Sequence, residues 1–388
     1  MSISKSMKTA CSKSWTDVNI DFKNRLLRHC CKAQPYELPD SYTIDFFDNS
    51  NYIQQRRKDT LAGIQHPDCT ECWRDINNGN GAYKDWMNKW NSFDNASPSI
   101  PSVNYIDIEL DNTCDLSCLY CSHVCSSKIA QEEGRTVQDN TRAQDIELFK
   151  TWLEHTVNNT TQEININFLG GEPTASKLFY ELLDFINTLD TSRLTLEVCT
   201  NGNSKPHLFS KFLAAIDNSN CNWNIAISNE SFKDDSELIR YGLDWERFEN
   251  NVRAYAAHSK INHLTLSVTV SSLALPTFPD YVKWVYDTLK DYDKTFSFVG
   301  GIVNWPEELD VAILPAAYVL YVDQTIQIVE SRRDSNCSGT NRFLTFLQGL
   351  KQRINSNYKG NYQTIIKDFL EQKQLVKRTD KLMRLIDE

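Results

Sequence analysis

Between residues 103 and 302 the sequence alternates six times between short strand patterns and helix-spaced apolar patterns, and no other feature limits the fold as much. Segments 103–110, 164–169, 194–198, 223–227, 264–270 and 296–299 read as strands. Between them, Ile146, Phe149, Leu153 and Val157 fall at helical spacing, as do Leu208, Phe212 and Ile216, and Phe248, Val252 and Tyr255; segments 176–189 and 281–289 supply two further helices. Parallel strands need a crossover of a dozen or more residues, so strands separated by helices pair in parallel. The predicted fold class is α/β, with a partial (β/α)6 TIM-like barrel at 102–302 whose functional loops lie at the carboxyl ends of the strands.

The flanks differ from this core. Residues 1–90 form a small cysteine-rich segment; within them Asn77-Asn-Gly-Asn-Gly81 marks a turn and 83–90 a short helix. Residues 91–101 read as a linker. Residues 303–388 are mainly helical, with one helix beginning near Ile313, one marked by Phe343, Phe346, Leu347 and Leu350, and one from 369 to 386.

The chain has 388 residues, 40% apolar and 24% charged, as in ordinary globular proteins. Its net charge of −10 argues against nucleic acid or an anionic membrane as the main partner. The amino terminus is polar, and no apolar run approaches the ~18 residues that span a bilayer. These features predict a cytoplasmic protein with no membrane or nucleic-acid partner. In a reducing compartment, 12 cysteines are better explained by metal than by disulfides.

The first strand leads straight into Asp111-Asn-Thr-Cys114-Asp-Leu-Ser-Cys118-Leu-Tyr-Cys121-Ser122. With 12 cysteines in 388 residues, a C-x3-C-x2-C spacing arises by chance in about one such chain in a hundred. Three thiols in one short loop can point at a single object, and an iron–sulfur cube takes four. A cube so held keeps one iron without a protein ligand, where a small molecule can bind.

Other strand ends carry distinctive turns. Gly170-Gly-Glu-Pro173 follows the second strand, Cys199-Thr-Asn201-Gly202 the third, and Ser228 the fourth, with Arg240 twelve residues later. A second cysteine group lies in the amino-terminal segment: Cys11, the pair Cys30-Cys31, and Cys69-x2-Cys72. Val18, Ile20 and Phe22 alternate as a strand, and a hairpin turning at 22–24 would return to Cys30. Three segments can thus supply four thiolates, to zinc or to a cluster. Adjacent side chains on a strand point to opposite faces, so spacing leaves Cys30 and Cys31 both open.

The central loop, with aromatic Tyr120 before its third cysteine, resembles that of the radical S-adenosylmethionine (SAM) superfamily, where such a loop follows the first strand of a partial barrel. The resemblance implies a 4Fe-4S cluster on Cys114, Cys118 and Cys121 whose open iron chelates SAM. It implies reductive cleavage to methionine and a 5′-deoxyadenosyl radical, which abstracts hydrogen from a substrate. Gly170, Gly171, Glu172 and Pro173 match the family's GGEP motif, and Ser228 and Arg240 match residues that contact the SAM carboxylate and ribose. Tyr120 and Asn201 complete the implied cofactor contacts.

The amino-terminal cysteines, with Trp15 and Trp73, resemble the auxiliary-cluster module of SPASM and twitch enzymes, here preceding the barrel where the usual order places it after. They imply a second 4Fe-4S cluster, ligated by Cys11, Cys30 or Cys31, Cys69 and Cys72. Partners implied are a peptide or protein side chain, with a sugar or nucleoside as the alternative substrate, and an electron donor such as flavodoxin or ferredoxin. A non-enzymatic iron–sulfur or zinc protein would need neither the Gly-Gly-Glu-Pro turn nor the Ser228 and Arg240 pair.

Overall fold

The expected hairpin forms, and it is part of a larger sheet. In the computed structural model, which describes residues 9–77, 88, 103–333, 335–358, 360–373 and 376–387, eleven strands occur among the described residues. They are β1 (Asp17–Asp21), β2 (Leu26–Arg28), β3 (Tyr36–Glu37), β4 (Tyr105–Glu109), β5 (Ser117–Cys118), β6 (Ile164–Leu169), β7 (Leu194–Thr200), β8 (Asn222–Ser228), β9 (Arg240–Tyr241), β10 (Ile261–Val270) and β11 (Thr295–Ile302). The expected linker at 91–101 and, Asn88 apart, the short helix at 83–90 lie outside the described residues, as do Asn78 to Gly81 of the turn.

The chain divides into two compact units: Met1–Asp111, Gln138–Gly170 and Ser176–Glu197 in one; Asn112–Val137, Gly171–Ala175 and Val198–Glu388 in the other. In the first, β1 and β2 pair antiparallel with Asn19 opposite Arg28, and β3 extends them. On its other side β1 pairs parallel with β4, residue for residue from Asp17 and Tyr105 to Asp21 and Glu109, and β4 pairs parallel with β6. Helix Ala143–Asn159 buries Ile146, Phe149, Leu153 and Val157, the stripe its periodicity predicts, and Trp152 beside them. Phe22 meets Phe149 edge-on at 5.4 Å between ring centres, and Phe47 lies 5.3 Å from Trp152. The cysteine-bearing segment therefore shares a hydrophobic core with the helix that follows β4.

In the second unit β10 lies between β8 and β11, all parallel, with Leu266 opposite both Ile227 and Phe298. Leu264, Leu266, Val268 and Val270 are buried, while His263, Thr265, Ser267 and Thr269 occupy the other, half-exposed face. Strands β4, β6, β7, β8, β10 and β11 are each followed along the chain by helix, so the mixed α/β, mostly parallel architecture is the one predicted.

The carboxyl-terminal region departs from expectation in two respects: the helix predicted to begin near Ile313 begins at Val319, after 3-10 turns at Val311–Ile313 and Ala316–Tyr318 on either side of Pro315. The single helix predicted from 369 to 386 is two, Tyr362–Gln372 and Val376–Asp387. Their Ile366, Phe369, Leu370, Leu382 and Ile386 pack into one cluster with Leu119, Ile239, Leu273 and Leu309, which places them beneath the cysteine loop. Among the described residues no helix is long and apolar enough to cross a membrane.

Candidate metal and cofactor sites

The loop after β4 is fastened by its backbone and its serines. Ser126 Oγ donates to Leu116 O at 2.7 Å and accepts from Ile129 N, capping helix Ser127–Glu132. Ser127 N donates to Asn112 O at 2.7 Å, and Cys114 N donates to Ser127 Oγ at 3.1 Å. On the far side of the loop β5 pairs with β9, Cys118 opposite Arg240, and Leu119 N donates to Ile239 O. Cys114, Cys118 and Cys121 are left half-buried, with Cys125 exposed. Burial pushes the Cys114 thiol up to about 12 and the Cys118 thiol up to about 11, and Cys121 rises through its hydrogen bond with Cys125 and through burial. Metal ligation here must therefore displace protons.

The Gly-Gly-Glu-Pro turn abuts this loop. Glu172 N donates to Thr113 O at 2.6 Å, next to Cys114. A Cβ on Gly171 would stand 2.4 Å from Thr113 O and 2.7 Å from Asn112 C, backbone atoms that cannot step aside. Gly170, at φ 104°, likewise approaches the Asp111 carbonyl. Pro173 is buried and opens a short 3-10 turn.

The Glu172 carboxylate is wholly buried and turned inward. It accepts from Thr174 Oγ1 at 2.7 Å, Thr200 Oγ1 at 2.8 Å and Asn201 N at 2.7 Å. Burial raises its pKa against these hydrogen bonds. The carboxylate thus ties the turn to the end of β7, and what the turn has free for a ligand is main chain. Gly171→Ala is expected to displace the cysteine loop and lower iron content after anaerobic reconstitution by at least half, with the fold retained by circular dichroism. A fully loaded variant would show that the close approach is dispensable.

Asn201 Nδ2 donates to Asp115 Oδ1 at 3.1 Å, bringing a third segment to the loop. Ser228, at the end of β8, lies with its Oγ 3.7 Å from Cys199 Sγ. Arg240 has a partner that sequence reasoning missed. Its Nε and Nη2 donate to the Glu230 carboxylate, Nη2 at 2.6 Å, and both residues are buried. Tyr120 OH donates to Glu230 Oε1 at 2.8 Å, and the guanidinium lies 5.7 Å from the Tyr120 ring centre. Burial by itself would lower the Arg240 pKa, but Glu230, Tyr120 and Cys118 hold it well above the ordinary arginine value. Burial raises Tyr120 well above the usual phenol range. The only sequence signal for Glu230 is an acid two residues past the strand-end serine and ten before an arginine.

In the first unit, Cys11, Cys30, Cys69 and Cys72 line one small pocket together with Arg56, Asp68 and Trp73. Cys31 is exposed and does not line it, although its thiol hydrogen-bonds the Cys30 sulfur and lowers the Cys30 pKa. Burial pushes the Cys11 thiol up to about 11. Among the described residues no three His, Cys, Asp or Glu side chains are arranged to hold a single metal ion. His123, near the central loop, faces Glu133 at 3.4 Å.

No protein-family model matches the sequence, and neither does any curated protein. Among solved structures the chain is similar to SuiB of Streptococcus suis bound to the precursor peptide SuiA, at 14% identity over 84% of this chain and 72% of that one, with a TM-score of 0.41. SuiB bound to S-adenosylmethionine gives 16% identity over 82% and 70%, with a TM-score of 0.41. TYW1 with a lysine–pyruvate adduct gives 14% over 58% and 73%, with a TM-score of 0.34.

Proposed function

We propose that this protein is a radical SAM enzyme. One observation carries the reading: segments far apart in sequence, namely the Gly-Gly-Glu-Pro turn, Asn201 and Arg240, converge on a single loop that presents three half-buried thiols. Cys114, Cys118 and Cys121 would hold a 4Fe-4S cluster and leave one iron for SAM. When bound and reduced, the cluster supplies the electron that splits SAM into methionine and a 5′-deoxyadenosyl radical. Main-chain groups of Gly171 to Pro173 would receive the SAM amino group, since the Glu172 carboxylate is already bonded within the protein. Tyr120, Asn201, Ser228 and Arg240 complete the proposed cofactor contacts, with Arg240 held in place by Glu230. Anaerobic reconstitution with iron and sulfide, followed by SAM and dithionite, should yield 5′-deoxyadenosine. A protein loaded with iron that forms none is not a radical SAM enzyme.

The finer assignment rests on the amino-terminal cysteines, whose pattern resembles modules of enzymes that modify peptides. The proposed substrate is accordingly a peptide or protein side chain, and the electron donor a flavodoxin or ferredoxin. Cys11, Cys30, Cys69 and Cys72, gathered in one pocket, would saturate a second 4Fe-4S cluster, which then binds no SAM. Cys30→Ala should leave the second cluster on three thiolates with one iron open, so that a chelator strips it faster than in the parent, and Cys31→Ala should change little, because only the former lines the pocket. Faster loss from Cys31→Ala than from Cys30→Ala would reverse the choice between them.

A further inference from the structure

Two adjacent arginines on helix Asn51–Leu61 are treated differently by the fold. Arg57 is satisfied by carbonyls, its Nε donating to Ser14 O and its Nη2 to Asp48 O, both at 2.7 Å. Arg56 is 1% exposed, yet among the described residues its Nε and Nη1 have no hydrogen-bond partner; its Nη2 donates only to Cys69 Sγ, at 3.5 Å. A guanidinium cannot shed its charge at any pH a protein survives, and burying it unpaired is strongly unfavourable. Asp68 lines the same pocket but forms no ion pair with Arg56; His66 Nδ1, 3.4 Å from its carboxylate, belongs to a ring whose pKa burial lowers and accepts from Asp68 N. The thiols of Cys11 and Cys69 feel the Arg56 charge but are poor partners while protonated, and the Asp17 carboxylate, which also feels it, is already bonded by Lys13 and Thr16. Once the thiols hold an iron–sulfur cube they are thiolates, and four of them outnumber the positive charges of its core.

We propose that Arg56 is the counter-charge of the anionic metal–thiolate group that Cys11, Cys30, Cys69 and Cys72 hold. The inference rests on reading that pocket as a metal site, and adds a positioning residue that the cysteine pattern does not reveal. It makes the buried guanidinium costly in the empty protein and favourable in the loaded one.

The test uses the full chain with Arg56→Met and Arg56→Lys, each made in the parent and in a Cys69→Ala/Cys72→Ala background. Iron and zinc content, the rate at which a chelator strips metal, and thermal melting are measured. In the parent, Arg56→Met should speed metal loss about 10–100-fold, the size of effect seen when outer partners of metal ligands are removed. If the metal is a cluster, its midpoint potential should fall, because the reduced form loses a stabilising cation. Arg56→Lys should restore most of the retention. In the cysteine-deficient background, Arg56→Met should raise the melting temperature, since it removes an unpaired buried charge. That reversal of sign is what a purely structural arginine would not give. Should Arg56→Met fold only in the cysteine-deficient background, the same conclusion follows. Destabilisation of both backgrounds alike, with metal release unchanged, would overturn the role of Arg56 alone. A Cys69→Ala/Cys72→Ala protein carrying as much metal as the parent would overturn the metal reading of the pocket, and the inference with it.

Discussion

The Cys114→Ala/Cys118→Ala/Cys121→Ala variant is expected to form no 5′-deoxyadenosine from SAM and dithionite, while keeping its circular dichroism and a melting temperature near the parent's. Activity should vanish because without thiolates nothing would hold the proposed cluster, and no side chain of the loop can supply an electron in its place. The fold should survive because the loop is fastened elsewhere. Ser126 and Ser127 bind its backbone, β5 pairs with β9, and Leu119 sits in the cluster formed with the last two helices. The removed sulfurs are half-buried, so little apolar contact goes with them. Undiminished product from the triple variant would end the radical SAM reading; an unfolded variant would show that the thiols, or a metal on them, support the loop.

Glu230→Ala is expected to destabilise the protein by about 3–5 kcal/mol, the range for breaking a buried ion pair by removing one partner. Glu230 is fully buried and receives Arg240 through two nitrogens and Tyr120 through its hydroxyl, so the substitution strands a buried cation and an unsatisfied phenol. Arg240→Ala strands the carboxylate instead. The double variant should therefore lose less than the two single losses added together, a coupling that urea unfolding of all four proteins measures directly. A loss below about 1 kcal/mol for Glu230→Ala would mean that water reaches the pair and screens it as at a surface.

Much of the architecture was legible because period-2 and period-3.6 apolar patterns report one-sided burial, and burial decided these elements. The stripe from Ile146 to Val157 is an example, its residues packed as their spacing required. Other features depend on contacts between distant segments, which no local pattern encodes. Cys30 and Cys31 are neighbours with opposite outlooks, and only the placement of Cys11, Cys69 and Cys72 shows which of them faces the pocket. Glu230 became visible only when the pairing of β5 with β9 set Arg240 beside it. The break between Tyr362–Gln372 and Val376–Asp387 escaped notice because helix-compatible charged residues run through the junction, with no Gly or Pro to mark an end.

The parallel pairing of β1 with β4 bears on how this protein avoids sticking to copies of itself. A sheet edge is a row of unsatisfied donors and acceptors, ready to accept a strand from another chain. Here the flank of β4 is occupied by β1, the flank of β1 by β2, and that of β2 by β3. Each added strand is no longer than the one before it, five residues, five, three and then two, so the ladder tapers until almost no edge is left to pair. The cysteine-bearing segment thus protects the sheet it extends, and a chain shortened to begin at β4 would expose a full-length strand to its neighbours.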